Sequence, residues 1–564
     1  MVNMARTISI GGQDFAKLIT NHYFYIDKTM FIKEWWENGD DVTLITRPRR
    51  FGKTLNMSMI EQFFSLQYAD CCNLFEGLSI WKEEAYQQMQ GTYPVLNLSF
   101  ASVKENTYEN AKTAICQIFS DIYNKYQFLR DCDVLTQRDK TYFDRVSEQM
   151  CESDAAIALY KLSDFLYRYY GKKPIILLDE YDTPLQEAYI HGFWNEITAF
   201  IRKLFNASFK TNPYFDRAVL TGITRISKES VFSDLNNPEV ITATSDKYTT
   251  AFGFTQSEVT AALQEYGLTQ KEAHVKDWYD GFTFGSTKNI YNPWSIINYL
   301  KKRIFSAYWA NTSSNSLVSK LIREGSKDIK MVMENLLKGG QLHTKIDEQI
   351  VFNQLNHSDS AIWSLLLASG YLTVEKHTID EESGKEEYDL KLTNKEVHIM
   401  FENIIESWFG SSTASYNDFI KALLADDKKA MNHYINDVAL ATFSYFDTGN
   451  KPTAKVEPER FYHGFVLGLL VDLSDRYMIT SNRESGFGRY DVMLEPYSQQ
   501  DNAILLEFKV HDPEEETTLA DTVAAALLQI DQKNYTASLQ AKGIANHRIR
   551  KYGFAFEGKH VLIG

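Results

Sequence analysis

Long apolar runs, paired cysteines and an excess of positive charge are all missing from this sequence. Its most hydrophobic stretch, FVLGLLVDL at 465–473, is far shorter than the roughly 20 residues that span a bilayer. The amino-terminal MVNMARTISIGGQDF has no apolar core of the kind found in signal peptides. The five cysteines include no CxxC pair and no histidine at zinc spacing. We therefore expect a soluble cytoplasmic protein with reduced thiols and no membrane partner.

Acidic residues outnumber basic ones, and the formal net charge is −15. Proteins that coat nucleic acid non-specifically need clustered lysine and arginine, so that class is disfavoured. A local basic channel and acidic sites neutralised by metal ions stay open. With 564 residues, 44% of them hydrophobic and 24% charged, the chain is expected to be an ordered globular protein of about three or four domains.

The segment RPRRFGKT at 47–54 nearly matches a phosphate-binding loop. Gly52, Lys53 and Thr54 occupy the last three positions of that pattern, and Arg47 stands where its first glycine belongs. In such a loop, backbone N–H groups bind phosphate, Lys53 reaches the β and γ oxygens, and Thr54 ligates Mg²⁺. The candidate nucleotide-binding residues are Arg47, Pro48, Arg49, Arg50, Phe51, Gly52, Lys53 and Thr54.

The context of this loop favours the functional interpretation. A strand is predicted at 40–48 and a helix at 55–68, and a phosphate loop requires that order. Pro48, with its fixed φ, is expected to enforce a turn where the first glycine is absent. The alternative is a basic loop that only connects a strand to a helix.

A second motif strengthens that interpretation. KKPIILLDEYD at 172–182 is a buried-strand pattern that ends in two carboxylates. Asp179 is the candidate Mg²⁺ ligand, and Glu180 is the candidate general base for an attacking water. The alternative is a helix cap, because acids favour first turns.

Further strands are predicted at 93–100 and at 216–227. Thr224 and Arg225 at the end of the later strand are candidate γ-phosphate sensors, although Arg225 fits a surface arginine equally well. Strands that alternate with helices indicate a three-layer α/β sandwich around a parallel sheet.

These segments resemble the bacterial AAA-ATPase-like family. The matching stretches are 23–32, 43–59, 176–185, 220–237, 278–285 and 291–300. In that family an arginine-rich loop without the first glycine is usual. The resemblance implies a P-loop NTPase fold that binds ATP and Mg²⁺ through Lys53, Thr54 and Asp179, with Glu180 catalytic. It implies no substrate for the energy of hydrolysis.

The centre of the chain predicts a helical lid and a winged-helix-like unit. Thr255 is the expected cap of a helix within 252–268. WYDGFTFG at 278–285 fits a packed aromatic turn, with a base-stacking platform as the alternative. Residues 362–394 read as helix, glycine turn, strand and strand, a unit that binds DNA or mediates packing. The expected division is an ATPase domain at 1–255, a lid at 256–340, a winged-helix-like and helical region at 341–445, and a last domain at 446–564.

Two strands are predicted near the carboxyl terminus, at 486–496 and 502–510. A hairpin centred on residue 499 places Asp491 opposite Glu507, and strand alternation puts Lys509 on the same face as Glu507. Facing carboxylates repel unless a cation lies between them, and Mg²⁺ prefers their oxygens. Lys509 could then orient a water or stabilise charge on a phosphate.

This D…ExK arrangement resembles the PD-(D/E)xK nuclease superfamily, with Tyr-Asp in place of Pro-Asp before the first carboxylate. The resemblance implies a nuclease-like α/β domain in which Asp491, Glu507 and Lys509 are catalytic and the two carboxylates hold the metal. Glu459, in a helix predicted at 457–473, matches an acidic helix residue of such nucleases. Gln529 in a later predicted helix is similar to a residue of the RecB-like branch.

The function expected from these two resemblances is ATP hydrolysis coupled to Mg²⁺-dependent cleavage of nucleic acid, with DNA favoured, in mobile-element or defence biology. The alternative is an ATP-driven switch or scaffold whose terminal domain binds nucleic acid or protein without cutting. Assembly into a homo-oligomer is a further expectation that is left open.

Overall fold

The structure, a computed structural model, falls into two compact units. It describes residues 5–225, 238–310, 316–324, 327–346, 355, 359–380, 385–409, 413–442, 466–467, 469–470, 473, 476–485, 488–513, 516–557 and 560–564. The first unit comprises residues 1–325 and 335–400, and the second comprises 326–334 and 401–564. Within the described ranges, no helix combines the length and the apolar character that crossing a bilayer demands.

A five-stranded parallel sheet forms the centre of the first unit. Its strands are β1 (Val42–Thr46), β2 (Val95–Ser99), β3 (Ile175–Asp179), β4 (Ala218–Gly222) and β5 (Glu239–Ile241), in the order β2-β3-β4-β1-β5. Every residue of β1, β3 and β4 is buried, so both faces of the sheet are covered by other layers. The predicted α/β fold and the four predicted strands are confirmed, and β5 was not predicted.

Helices accompany these strands along the chain. They span Phe15–Thr20, Met30–Asn38, Lys53–Phe64, Glu84–Gln87, Tyr108–Lys125, Phe128–Asp131, Gln137–Arg145, Glu152–Ala156, Ala158–Tyr170, Thr183–His191 and Trp194–Phe205. Helix Lys53–Phe64 packs against β2 and β3. It begins directly after Gly52, whose φ of 87° lies in the left-handed region that glycine tolerates best.

The lid follows the sheet in the chain and comprises residues 254–302. It contains the strands β6 (Phe254–Thr255), β7 (Phe282–Phe284) and β8 (Thr287–Tyr291), paired antiparallel in the order β6-β8-β7. Its helices are Gln256–Glu265, Glu272–Tyr279 and Pro293–Lys302. Thr255 caps the first of them, in a reciprocal capping box with Glu258, as predicted. Ile8 and Phe24 contribute to the apolar core of the lid, so the amino-terminal segment packs there.

A small antiparallel sheet completes the first unit. It contains β9 (Leu342–Thr344), β10 (Leu372–Asp380) and β11 (Lys385–Leu392), in the order β10-β11-β9. Helix Asp359–Ala368 lies between β9 and β10 in the chain, and Gly370, with a φ of 83°, makes the turn from this helix into β10. The predicted order of helix, glycine turn, strand and strand is therefore present. Helix Ser316–Glu324 also belongs here, whereas Lys327–Leu337 and Lys395–Phe409 have residues in both units.

The second unit is built on a mixed sheet of β12 (Tyr477–Ser485), β13 (Gly488–Pro496), β14 (Ala503–Val510), β15 (Ile549–Glu557) and β16 (His560–Ile563). The strands pair in chain order, and only β14 and β15 run parallel. Its described helices are Thr413–Ala425, Lys428–Thr442, Leu519–Gln532 and Ala537–Ala541. Residues of the first two share a core with β14, although the expected division assigned 341–445 to the middle of the chain. Strand β12 was not predicted.

Glu396 is a buried acid that joins three segments of the first unit. Its carboxylate accepts hydrogen bonds from the Ser295 hydroxyl at 2.8 Å and from the Trp309 N–H at 2.5 Å. Because the side chain is fully buried, desolvation raises its pKa from the ordinary 4.5 to about 7. Glu396 thus ties the start of helix Lys395–Phe409 to the lid and to the loop after it.

This burial predicts a pH-dependent stability. The folded protein holds the Glu396 proton more tightly than the unfolded chain, so the stabilisation is full below about pH 4.5 and is lost as the pH rises through about 7. Glu396→Gln does not titrate, and we expect the stability of the wild type relative to this variant to fall by up to about 3 kcal/mol between pH 5 and pH 8. Urea unfolding at several pH values measures this difference. Glu84→Gln, which alters an exposed acid, is the control and should give a flat difference; a flat difference for Glu396→Gln would contradict the assignment.

Candidate functional site

The loop after β1 holds its lysine inside the protein. Lys53 is only 4% exposed, and its ammonium donates hydrogen bonds of 3.0 Å to the carbonyls of Arg47 and Pro48. Burial lowers the pKa of Lys53, and the nearby Glu180 and Asp179 oppose that shift. A desolvated ammonium with only neutral carbonyl partners is a strong binding group for phosphate oxygen.

Asp179 lies at the centre of the carboxyl edge of the sheet. One of its oxygens accepts a 2.6 Å hydrogen bond from the Thr54 hydroxyl, and the other accepts from the Thr221 hydroxyl. Burial raises the pKa of Asp179. The Thr54 hydroxyl and the Asp179 carboxylate are oxygen donors in contact, and this donor set fits Mg²⁺ that keeps waters and phosphate oxygens as its other ligands.

Glu180 follows with an unusual backbone. Its φ is 53°, in the left-handed region that a residue other than glycine enters at a cost of about 1–2 kcal/mol. Its N–H donates to the Asp179 carboxylate at 3.1 Å, and its own carboxylate accepts from the Thr183 hydroxyl at 3.2 Å. Strain of this kind persists where the surrounding contacts enforce it, and it is concentrated at functional sites.

Asp182 is a site residue that the sequence analysis missed. It is fully buried, and one carboxylate oxygen accepts from the N–H of Ile223 at 3.0 Å and from the N–H and hydroxyl of Thr224 at 2.9 Å. A Cβ at Gly222 would lie 2.7 Å from the other oxygen, so only glycine fits there. Thr224 is therefore fixed at the predicted edge by Asp182, and the half-buried Arg225 follows it. The sequence signal that could have identified Asp182 is its place as the third acid of the segment DEYD at 179–182.

Arg47 has a different environment from the one expected of a nucleotide ligand. Its side chain is fully buried, and its guanidinium donates to the carbonyls of Thr46 at 2.9 Å and Thr242 at 2.6 Å. It also lies over the ring of Phe284, 4.4 Å from the centroid. Desolvation lowers the pKa of Arg47 to about 9. The guanidinium is thus engaged by the interior, where it connects the loop to β5 and the lid.

The lid also contacts the next residues of the loop. The ring of Phe51 packs edge-on against Phe282 at 4.8 Å and Phe284 at 5.4 Å. Arg50 lies over the Trp294 ring at 4.5 Å. Phe282 and Phe284 of WYDGFTFG therefore pack against the loop, as the packed-turn interpretation, the favoured one of the two, requires.

The carboxyl-terminal pair of carboxylates forms as the predicted register requires. Val492 pairs with Leu506 and Leu494 with Ile504, so Asp491 lies next to Glu507 across the hairpin. The Asp491 carboxylate accepts a 2.7 Å hydrogen bond from the N–H of Phe508. That contact fixes the first carboxylate at the edge of β14.

Helix Leu519–Gln532 reaches the second carboxylate. The Gln529 amide donates to Glu507, which is 2% exposed, and lies 3.3 Å from the Tyr535 hydroxyl. The helix approaches because Gly553, the neighbour of Glu507 on β15, has no side chain. A Cβ there would lie 2.8 Å from the Val523 carbonyl oxygen. A buried carboxylate held by an amide and facing a second carboxylate fits a divalent cation.

Two of the predicted residues complete the account of this site. Lys509 is half-buried two positions after Glu507 on β14, so strand alternation places it on the same face. Glu459 lies outside the described residues. Among the residues that are described, no three acidic, histidine or cysteine side chains form a group that could hold a metal ion. Asp491 and Glu507 stay a predicted pair of ligands.

Comparisons with known proteins give a family match for each of the two regions that contain these sites. Residues 9–232 match the family model described as predicted AAA-ATPase, and residues 457–564 match the PD-(D/E)XK nuclease superfamily, which confirms the two resemblances. The chain is 26% identical over 554 residues to an uncharacterized protein in the vnfD 5′ region of Azotobacter chroococcum mcd 1, covering 96% of this chain and 95% of that protein. Among solved structures, the Walker-type ATPase PABY2304 of Pyrococcus abyssi is similar with 12% identity and a TM-score of 0.34, over 71% of this chain and 99% of that one.

The surroundings of Arg47 predict a structural role for its side chain. Arg47→Gly removes the donors from buried carbonyls and leaves a cavity, so we expect a destabilisation of about 3 kcal/mol. Arg50→Gly is the matched control, because Arg50 is exposed and its stacking on Trp294 contributes about 1 kcal/mol or less. Urea unfolding of both variants measures the difference. Equal stability of the two variants would show that the buried guanidinium has no structural role.

Proposed function

We propose that this chain, which joins a predicted AAA-ATPase domain to a PD-(D/E)XK nuclease superfamily domain, hydrolyses ATP and uses the cycle to control Mg²⁺-dependent cleavage of nucleic acid, with DNA favoured. The observation that carries the first activity is the convergence of Lys53, Thr54, Asp179 and Glu180 at one edge of the parallel sheet. We place the protein in the cytoplasm.

The proposed hydrolysis assigns one role to each residue. Thr54 and Asp179 would hold Mg²⁺, which supplies positive charge that neutralises the phosphate oxygens. Lys53 leaves its two carbonyl partners to bind the β- and γ-phosphates. Glu180 accepts a proton from a water whose oxygen bonds to the γ-phosphorus, while the bond from that phosphorus to the β–γ bridging oxygen breaks. The products are ADP and phosphate.

The proposed cleavage uses the second unit. Asp491 and Glu507 would hold a divalent cation, which supplies charge neutralisation at the scissile phosphate. Gln529 fixes Glu507, and Tyr535 supports Gln529. Lys509 on the same face stabilises the negative charge that develops on the phosphate in the transition state.

A second candidate is an ATP-driven switch whose nuclease-fold domain binds nucleic acid or protein without cutting. One observation favours it. The net charge is −15, which weakens non-specific attraction to nucleic acid. A nuclease assay separates the two candidates.

We expect Lys53→Ala to abolish ATP binding, because the phosphates lose their buried counter-ion. Glu180→Gln should bind ATP but hydrolyse it at least about 100-fold more slowly, because an amide cannot take the proton. Calorimetric ATP affinity and phosphate release measure the two effects. Glu187→Gln, which changes a partly exposed acid on the next helix, is the control. ATP turnover by Glu180→Gln at the wild-type rate would refute the catalytic role of Glu180.

For the second unit, we expect Asp491→Asn and Glu507→Gln to lose both cleavage and the rise in melting temperature that Mg²⁺ or Mn²⁺ produces. Lys509→Ala should keep the metal effect and lose cleavage, because its role lies in the transition state. All three variants should retain ATP hydrolysis, which reports intact folding of the first unit. Glu557→Ala, at an exposed site on β15, is the acid control. If the wild type shows no metal-induced shift and cuts neither linear, circular nor single-stranded DNA, the non-cutting candidate is supported.

A further inference from the structure

We propose that Arg49 is a catalytic residue whose guanidinium binds the γ-phosphate of ATP and stabilises its charge during hydrolysis. This inference rests on the proposed ATPase function and deepens it, because it assigns the positive charge that faces the transferred group. Arg49 belongs to the same loop as Arg47 and Arg50, but its environment differs from theirs.

The three arginines of the loop point to three different environments. Arg47 is buried and bound to backbone carbonyls. Arg50 is exposed, has a φ of 65° and stacks on Trp294. Arg49 is half-buried, and its guanidinium lies 3.4 Å from the Gln186 side-chain oxygen. A hydrogen bond of that length to a neutral amide oxygen is weak, so an anionic ligand can replace Gln186 readily.

The position of Gln186 shows which side of the loop Arg49 faces. Gln186 donates a 2.8 Å hydrogen bond to Asp182, and Asp182 binds the N–H groups of Ile223 and Thr224 at the end of β4. Arg49, Gln186, Ile223 and Thr224 line one cavity. Arg49 therefore lies beside the segments that follow β3 and β4 at the carboxyl edge of the sheet. Burial lowers the pKa of Lys53, and Arg49 is close enough for its positive charge to lower that pKa further.

That edge is where the γ-phosphate must lie. The Thr54 hydroxyl and Asp179, which are in hydrogen-bond contact, would hold a Mg²⁺ that supplies positive charge to the terminal phosphates. The candidate base Glu180 follows Asp179 directly, and the attacked phosphorus must lie within reach of the water that it activates. An arginine on the same edge would contact the terminal phosphate rather than the α-phosphate or the adenine ring.

The lid and the loop after it hold the backbone of Arg49 in place. Its carbonyl oxygen accepts hydrogen bonds from the Trp309 indole at 3.0 Å and from the Asn292 amide at 3.3 Å. A guanidinium on a fixed backbone loses less conformational freedom on binding, and its planar donors match phosphate oxygens. The geometry therefore supplies in cis the arginine that other NTPases receive from a partner.

The test compares single variants of the full chain. Arg49→Ala should lower the ATP hydrolysis rate at least about 1,000-fold, the lower range for loss of such an arginine. Its ADP affinity should stay within about threefold of the wild type, because ADP lacks the γ-phosphate. Stable trapping of ADP with aluminium fluoride, which mimics the transferred group, should be lost. Arg49→Lys should recover little of the rate, because an ammonium lacks the planar fork.

Two controls separate this inference from its rivals. Arg138→Ala removes an exposed arginine of helix Gln137–Arg145, away from the loop in the sequence, and should hydrolyse ATP at the wild-type rate. Arg225→Ala tests the other candidate sensor at the end of β4 and should keep aluminium fluoride trapping. ADP binding by every variant reports an intact loop, so a misfolded variant is recognised.

Three results would overturn the assignment. Hydrolysis by Arg49→Ala within threefold of the wild type would show that the guanidinium does not act on the γ-phosphate. An equal loss of ADP and ATP affinity with a preserved hydrolysis rate would show that Arg49 only shapes the loop. Loss of trapping in Arg225→Ala but not in Arg49→Ala would transfer the role to Arg225. An unaltered chain that hydrolyses no ATP would instead refute the proposed function, and the assignment of Arg49 with it.

Discussion

The buried carboxylate of Asp179 organises the first unit. It accepts hydrogen bonds from the hydroxyls of Thr54 and Thr221, and these residues belong to the helix after β1 and to β4. A single acid thus joins the phosphate loop to the two central strands. Carrying a charge in that position is costly unless donors or a cation compensate it. The hydroxyl donors supply part of this compensation, and the divalent ion of the proposed hydrolysis would supply more.

The phosphate loop depends on the lid as much as on the sheet. A loop with its first glycine turns by backbone freedom alone, whereas this one carries Arg47 and is braced by Phe284 and Thr242. Gly370 touches the loop from the winged-helix-like unit, because a Cβ there would lie 2.8 Å from a ring carbon of Pro48. Movement of the lid would therefore change the loop. A nucleotide bound by the loop, as proposed, would in turn change the lid.

The sequence was most informative where local chemistry decides the structure. Buried parallel strands show continuous apolar runs, so β1, β3 and β4 could be located, and a short polar loop between alternating strands set the register of Asp491 and Glu507. The short strands β5 and β9 have only three residues each and too little pattern to find. The roles of Arg47 and Asp182 could not be predicted either, because their partners lie about 200 and about 40 residues away and meet them only through the tertiary fold.

Glu180 illustrates how the proposed hydrolysis and the stability of the fold place different demands on one residue. Its φ of 53° suits glycine or asparagine better than glutamate, so replacement by either would relieve about 1 kcal/mol of backbone strain while removing the acid. Random mutation at this position therefore tends to trade turnover for robustness. A lineage that no longer needed the proposed hydrolysis would be expected to acquire glycine or asparagine at this position. The residue at position 180 in related chains would therefore show whether selection has retained the acid.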